Sequence, residues 1–307
     1  MTDLSVIVVN WNTRDLLAQC LASVYETAGG LDFEIIVVDN VSADGSVEMV
    51  RQSFPRARII ANAENVGFVR ANNQAIEQCR GRYVLLLNSD TRLLPNVLDE
   101  MIHFMDTHPC AGVAGVRLLN PDGTFQASHS PFPTLWREFL MLSGLGRRLV
   151  RPRYPSYGPE IEKGVQKVDY VEGACLLARR EAIDQVGKLD ERIFMYAEDV
   201  DWCYRFHQAG WQVWYLPDAP IVHYGGQSTR KRRERMEAEL YRSRIYFFRK
   251  HYGLVQSQLL RTLIYLITPV KCTVHQVVRF LSGGRKGRNV VGVRELHAVL
   301  SNDPKLQ

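Results

Sequence analysis

The sequence predicts an α/β fold, a mostly parallel sheet flanked by helices, and three observations predict it. Continuous apolar runs such as Tyr83-Val84-Leu85-Leu86-Leu87 have no polar face, so they read as strands buried on both sides. Such runs alternate with helix-patterned segments over the first ~100 residues, which calls for parallel strands joined by right-handed crossovers. Each run stops at a polar cluster, as Leu87 does at Asn88-Ser89-Asp90. In open α/β sheets ligands bind just beyond the carboxyl ends of the strands.

Taken in order, Leu4 to Val9 predicts the first strand, followed by Asn10-Trp11-Asn12-Thr13. Asn12 or Thr13 is placed to cap a helix from about Arg14 to Tyr25, with Leu16, Leu17, Cys20, Leu21 and Val24 on one face. Phe33 to Val38 is a second strand ending in Asp39-Asn40, and Ser42 to Ser46 turns into another helix. Arg58 to Ala61 is a third strand, Asn65-Val66-Gly67-Phe68 a loop, and Ala71 to Arg80 helical by propensity. The Tyr83 strand follows. Asn88-Ser89-Asp90 then reads in two ways, as a site for a hard cation or polar ligand, or as a cap for the next segment.

Four strand ends thus carry Asn10/Asn12, Asp39/Asn40, Asn62/Asn65 and Asn88/Asp90 along one edge of the sheet. A nucleotide fits such a crevice. The first turn lacks the G-x-G-x-x-G dinucleotide fingerprint, and no P-loop lysine motif is present, which disfavours a dehydrogenase or a P-loop NTPase. Phosphates here would need a cation rather than a glycine cradle.

Beyond Pro95 the pattern changes. Asn96 to Thr107 predicts a helix, Ala111 to Leu118 a strand, and Asn120-Pro121-Asp122-Gly123 a turn. Ser128 to about Lys167 is irregular and reads as an acceptor wall or lid. Strand character returns from Asp169 to Arg179, and Glu181 to Val186 is helical. Glu198, Asp199 and Asp201 then cluster at a helix start, where the macrodipole favours negative charge. Asp201 and Arg205 are spaced to pair on the helix surface. Trp211 to Leu216 and Ala219 to Tyr224 predict two more strands. His223 closes the second, just before Gly225-Gly226.

The 307 residues suffice for one large or two modest domains. A composition 46% hydrophobic and 23% charged excludes global disorder. None of the six cysteines forms a CxxC pair, so reduced thiols in a cytoplasmic protein are expected. The opening MTDLSVIVVNWN has no basic lead and too short an apolar run for a signal peptide, and no stretch is apolar enough to span a bilayer.

Together VIVVNWN, VVDNVSADGS, NVGFVRANNQAI, LLLNSD, EGACLLARR, MYAEDVDWCYR and HYGG resemble glycosyltransferase family 2 from about Leu4 to Ser228, nearest to its rhamnosyltransferase-like branch. That resemblance implies a GT-A type fold with a Rossmann-like sheet over residues 1–228, divided into a nucleotide-sugar half (1–95) and an acceptor half (96–228). It implies an inverting, metal-dependent transferase of cell-surface polysaccharide synthesis. The donor would be a nucleotide-sugar, dTDP-rhamnose favoured over a UDP-hexose, and the acceptor a saccharide or lipid-linked saccharide. By the same resemblance Asn10 and Asn12 cradle the nucleotide and Asp39 reads the base. Asn65, Gly67 and Arg70 form the loop over the donor. Asn88-Ser89-Asp90 matches the Asp-x-Asp motif, its first Asp being Asn88 here, and Asp90 and His223 are the ligands of Mg²⁺ or Mn²⁺. Asp199 is the catalytic base, and Glu172, Gly173, Glu198 and Trp202 lie on the acceptor side. A rival from another class is a nucleotide-binding protein of the same fold without catalysis.

Residues 229–307 predict a basic, amphipathic helical extension. Arg230, Lys231, Arg232, Arg233 and Arg235 are followed by Arg242, Arg244, Arg249 and Lys250, interleaved with Tyr241, Tyr246, Phe247, Phe248 and Tyr252. A basic helix with aromatics suits an anionic membrane surface, here the cytoplasmic face of the inner membrane. No nucleic-acid motif accompanies it, so nucleic acid is not an expected partner. Leu254 to Leu281 reads as two amphipathic helices divided at Pro269, fit for a membrane surface or a homodimer. A Gly/Arg-rich turn and a short helical tail would close the chain from Ser282 to Gln307.

Overall fold

The computed structural model describes residues 2–146, 164–226 and 233–281, together with Leu296 and Leu300. Much of the expected lid, the first basic cluster (Arg230, Lys231, Arg232) and most of the expected tail lie outside the described residues. Two compact units emerge: Met1–Phe132, Ser156–Glu191 and Glu198–Ser228 form the first, and Pro133–Pro155, Arg192–Ala197 and Thr229–Gln307 the second.

The first unit opens with β1 (Leu4–Asn10), α1 (Arg14–Thr27), β2 (Phe33–Asp39), α2 (Ser46–Ser53), β3 (Arg58–Ala61), α3 (Phe68–Ile76) and β4 (Tyr83–Asn88). It continues with β5 (Thr91–Leu93), α4 (Val97–Thr107), β6 (Ala111–Leu119), β7 (Phe125–Gln126) and β8 (His129–Ser130). In the second unit lies α5 (Leu135–Ser143). The first unit then resumes with β9 (Gln166–Lys167), β10 (Tyr170–Val171), β11 (Cys175–Arg179), α6 (Arg180–Val186), α7 (Glu198–Gln208) and β12 (Gln212–His223).

The main sheet runs β3-β2-β1-β4-β11-β6-β12-β5. Its first four strands are parallel, as the buried apolar runs predict. Leu85 is fully buried and Leu87 is 2% exposed, and each such side chain withdrawn from water contributes about 1.5–3 kcal/mol. The second half is mixed. β11 runs antiparallel between β4 and β6, β12 parallel to β6, and β5 antiparallel to β12.

Several expectations shift. The helix expected from Ala71 begins at Phe68, where Gly67 turns the chain at φ 88, a conformation that favours glycine. Thr13 stands at the N-terminus of α1, but its hydroxyl makes no cap. The Arg14 N–H donates instead to Asp44 Oδ2 at 2.9 Å. The stretch 169–179 is two strands, β10 and β11. β10 crosses β6 so closely that a Cβ on Gly115 would lie 2.5 Å from Val171 Cβ. The two strands expected between Trp211 and Tyr224 are one, β12, whose register against β6 shifts between Leu216 and Pro220.

The second unit contains α5, α8 (Arg233–Tyr252) and α9 (Leu254–Leu281). Its helices divide at Gly253, φ 88, and α9 continues through Pro269. Tyr241, Tyr246, Phe247 and Phe248 are buried, so these aromatics of the basic helix are core and not a membrane-facing surface. Beside them Arg244 pairs with the buried Glu138. Among the described residues no helix is long and apolar enough to cross a membrane.

Candidate functional site

Parallel register lines up the ends of β1, β2 and β4, with Asn10 opposite Asp39 and Val9 opposite Asn88. Their side chains bind one another. Asn10 Nδ2 donates to Asp39 Oδ2 at 2.8 Å and to Ser42 Oγ at 3.1 Å. The Ser42 N–H donates to Asp39 Oδ1 at 2.8 Å. Thr13 Oγ1 donates to Asn10 Oδ1 at 2.7 Å and lies 2.9 Å from Ser89 Oγ. Asn10, Thr13, Asp39 and Ser89 are all buried. Asn12, at φ 53, joins the first two loops: its N–H donates to Ser42 Oγ and its Oδ1 accepts from the Ala43 N–H, both at 2.8 Å. Val41, a β-branched residue, is held at φ 59 in the same loop, a strain costing about 1–3 kcal/mol.

Beyond β3, Asn65 Oδ1 accepts the Gly67 N–H at 3.0 Å and shapes the turn into α3. Arg70 is more than half exposed, 3.6 Å from Glu191. Asn73 is buried and grips the approach to α7: its Nδ2 donates to the Leu189 carbonyl at 2.9 Å, and the Leu189 N–H donates back at 3.1 Å.

Asn88-Ser89-Asp90 leads into a strand and not a helix, so it is no helix cap. β5 pairs with β12, setting His223 opposite Thr91, and the Tyr224 N–H donates to the Asp90 carbonyl at 2.9 Å. His223 Nε2 then lies 3.3 Å from Asp90 Oδ1. Its Nδ1 is 2.6 Å from Gln126 Oε1. The Gln126 amide is oriented by its own donor, since Nε2 gives to Asn120 Oδ1 at 3.0 Å and to the His223 carbonyl at 3.3 Å. The imidazole therefore donates from Nδ1, which leaves Nε2 as the ring atom that faces the carboxylate oxygen. Such a nitrogen–oxygen pair fits a divalent cation, and imidazole beside carboxylate suits Mn²⁺ better than Mg²⁺. Among the described residues no group of three or more His, Cys, Asp or Glu could hold a metal ion.

Antiparallel pairing of β11 with β4 sets Cys175 opposite Leu87, and the Asn88 N–H donates to the Ala174 carbonyl. Gly173 follows directly past the end of β4, and its N–H donates to Asp199 Oδ2 at 2.9 Å. Asp199 Oδ1 accepts the Val200 N–H at 2.8 Å in the first turn of α7. A Cβ on Gly173 would lie 3.5 Å from that carboxylate. Glu172 is half-buried, and its N–H donates to the Ser128 carbonyl at 3.0 Å. Glu198 opens α7 and is 9% exposed.

Two expectations fail on burial. Trp202 has no exposed surface and gives its Nε1–H to the Gly187 carbonyl at 2.9 Å, so it packs α7 and cannot line an acceptor surface. The Asp201–Arg205 pair is not on the helix surface. Asp201 is fully buried, and the guanidinium also donates to the carbonyls of Val186 and Lys188. Thr13, Ser42, Asn73 and Gln126 were missed. Only the strong turn at Asn120–Gly123 pointed toward the last of them.

This mostly parallel sheet with a mixed second half is of the GT-A type. Residues 5–187 match the family described as Glycosyl transferase family 2, and the chain belongs to that family. It is 33% identical over 243 residues to the N-acetylglucosaminyl-diphospho-decaprenol L-rhamnosyltransferase of Mycobacterium tuberculosis, a match covering 75% of this chain and 78% of that one. Among solved structures it is similar in fold to Staphylococcus aureus TarS, with TM-score 0.55 and 17% identity over 86% of this chain and 43% of that longer one. The mannosyltransferase of Pyrobaculum calidifontis, solved with GDP-Man and Mn²⁺, has TM-score 0.53 and 15% identity over 97% of this chain and 88% of that one.

Proposed function

We propose that this glycosyltransferase moves L-rhamnose from dTDP-rhamnose, with inversion, onto a lipid-linked saccharide in cell-surface polysaccharide synthesis. The observation that carries the site is the meeting of Asp90 and His223 at 3.3 Å beside the end of β4. The rhamnosyl donor and the lipid-linked acceptor rest on the 33% identity to the mycobacterial enzyme.

Asn10, Asn12, Asp39, Asn65, Gly67 and Arg70 bind the nucleotide, with Asp39 accepting a base N–H. Asn88 and Ser89 close the floor under the diphosphate. Asp90 and His223 would hold Mn²⁺ or Mg²⁺, and the bound ion would supply Lewis-acid stabilisation of the departing diphosphate. Asp199, fixed by two backbone N–H donors, takes the proton from the acceptor hydroxyl as its oxygen forms the new bond at the anomeric carbon. The bond to the nucleoside diphosphate breaks on the opposite side. One base therefore suffices, and no covalent enzyme intermediate forms. Glu172, Gly173 and Glu198 flank the acceptor.

The test is a thermal-shift panel of nucleotides and nucleotide-sugars with Mn²⁺ or with EDTA, followed by transfer assays. A ligand at 100 times its Kd stabilises the fold by about 2.7 kcal/mol, which such a panel resolves. dTDP-rhamnose with Mn²⁺ should give the largest rise, and activity should vanish in chelator. A larger response to UDP-hexoses overturns the rhamnosyl assignment. Full activity in EDTA overturns the role of Asp90, and nucleotide binding without any transfer restores the non-catalytic reading.

The second unit supports peripheral attachment to an anionic lipid surface. Along α9, Val255, Leu259, Leu266, Val270, Val274 and Phe280 are each more than half exposed. No Asp or Glu occurs between Leu254 and Leu281, and from Thr229 to Arg294 the acids are only Glu234, Glu237 and Glu239 among many Lys and Arg. An apolar stripe in a cationic segment suits lipid headgroups above acyl chains. The full chain should float with phosphatidylglycerol vesicles and not with phosphatidylcholine ones, and Leu266→Glu with Val270→Glu should abolish flotation. Flotation that these substitutions leave unchanged would move the lipid contact away from this stripe, and a dimer that they split would give the stripe to a second copy of the chain.

A further inference from the structure

We infer that Gln126 is a positioning residue that sets the tautomer of His223 and so makes the Asp90–His223 pair a cation site. The inference rests on the metal role proposed for that pair.

A carboxylate can only accept. Thr124 Oγ1 donates to Asp122 Oδ1 at 2.6 Å, so its lone pairs are left to accept. Asn120 Nδ2 donates to that hydroxyl oxygen at 2.9 Å and to the Phe125 carbonyl at 3.2 Å. The Asn120 amide is thereby oriented with Oδ1 toward Gln126, and Gln126 Nε2 donates to it at 3.0 Å. Gln126 Nε2 also donates to the His223 carbonyl at 3.3 Å, a second bond that fixes the same amide orientation. Gln126 Oε1 is left facing His223 Nδ1 at 2.6 Å and must accept its proton. The neutral ring then has no proton at Nε2, the atom that faces Asp90 Oδ1 at 3.3 Å. Without this relay the imidazole could carry its proton at Nε2, donate to Asp90 and close the pair on itself.

The relay is built from the turn residues themselves. The Gly123 N–H donates to the Asn120 carbonyl and the Asn120 N–H to the Thr124 carbonyl, both at 2.8 Å, and Gln126 is paired with Leu118 across β6 and β7. The turn Asn120-Pro121-Asp122-Gly123 thus acts on the site through one amide. An outer partner of a metal-bound histidine fixes ring orientation, and its loss weakens metal binding by roughly 10- to 100-fold.

The experiment uses the full chain and Mn²⁺ alone, titrated by electron paramagnetic resonance, with ¹⁵N spectra of the histidine rings before metal is added. In spectra taken at a pH alkaline enough that the histidine rings are neutral, the parent His223 signals should show Nδ1 protonated and Nε2 bare. Gln126→Met keeps the length of the side chain and removes the acceptor. It should shift the proton to Nε2 and weaken Mn²⁺ binding roughly 10- to 100-fold. Gln126→Glu keeps an acceptor for Nδ1–H but gives up both Nε2 donations, and should keep the parent tautomer and bind Mn²⁺ more tightly than Gln126→Met; a proton moved to Nε2 in this variant would also overturn the role of Gln126 as acceptor. No Mn²⁺ binding by the parent protein overturns the cation site itself. Parent binding that Gln126→Met leaves unchanged, or a parent ring protonated at Nε2, overturns the role of Gln126 while the site stands.

Discussion

The two halves of the sheet hold their polar residues in opposite ways. In the parallel half, Asn10, Thr13, Asp39, Ser42 and Ser89 bond to one another, and β1, β2 and β4 are locked at their ends. In the mixed half, polar groups arrive in pairs brought by strand register: Asp90 with His223, and Gly173 with Asp199. The first arrangement is a rigid floor whose groups are satisfied by their neighbours. The second sets an imidazole against a carboxylate and fixes another carboxylate through backbone donors. Under the proposed function, binding surface and chemistry are divided between the halves.

Substitutions in each half should fail differently, and that is how the contrast can be broken. The largest effect is expected at Asp199. Asp199→Asn should lower kcat by roughly 10²- to 10⁴-fold with donor binding intact, measured by transfer assay and nucleotide titration. Equal loss of donor binding would move Asp199 out of the base role.

Next comes His129, in β8, whose partner β10 leads to Glu172 and Gly173. Burial pushes its pKa down to about 4 from an ordinary value of 6.5, so the folded protein keeps the ring neutral. As pH falls below 6.5 the unfolded chain takes up a proton that the folded chain refuses. Stability should therefore be full above that pH and decline by up to about 3 kcal/mol on the way to pH 4. His129→Gln should flatten that decline in urea unfolding series, and an unchanged slope would assign the acid sensitivity elsewhere.

The smallest effect belongs to the floor. Thr13→Val removes the hydroxyl between Asn10 and Ser89 and should cost about 1–3 kcal/mol of stability, with Thr13→Ser near the parent. Donor binding should weaken in proportion, and kcat at saturating donor should hold. A kcat loss as large as that of Asp199→Asn would erase the distinction between floor and chemistry.

The parallel half was readable because an apolar run such as Val84–Leu87 dictates a buried strand, and whatever follows it must sit at the sheet edge. β5 was not readable: three residues, with the exposed Arg92 in the middle, give no period to detect. Its pairing with β12 is what brings His223 to Asp90. Trp202 and Asp201 misled for a related reason. Helical spacing tells which residues share a face, and only packing tells whether that face is covered.

The sequence alone determined the first four strands, the polar residues at their ends and the family resemblance, since these follow from local patterns and spacing. The tertiary structure decided which of those polar groups meet. Antiparallel register delivered His223 and Gly173, and a hairpin turn delivered Gln126. The physical reason is that a side chain's chemistry depends on its neighbour's lone pairs and protons, and for His223 those neighbours lie about a hundred or more residues away along the chain.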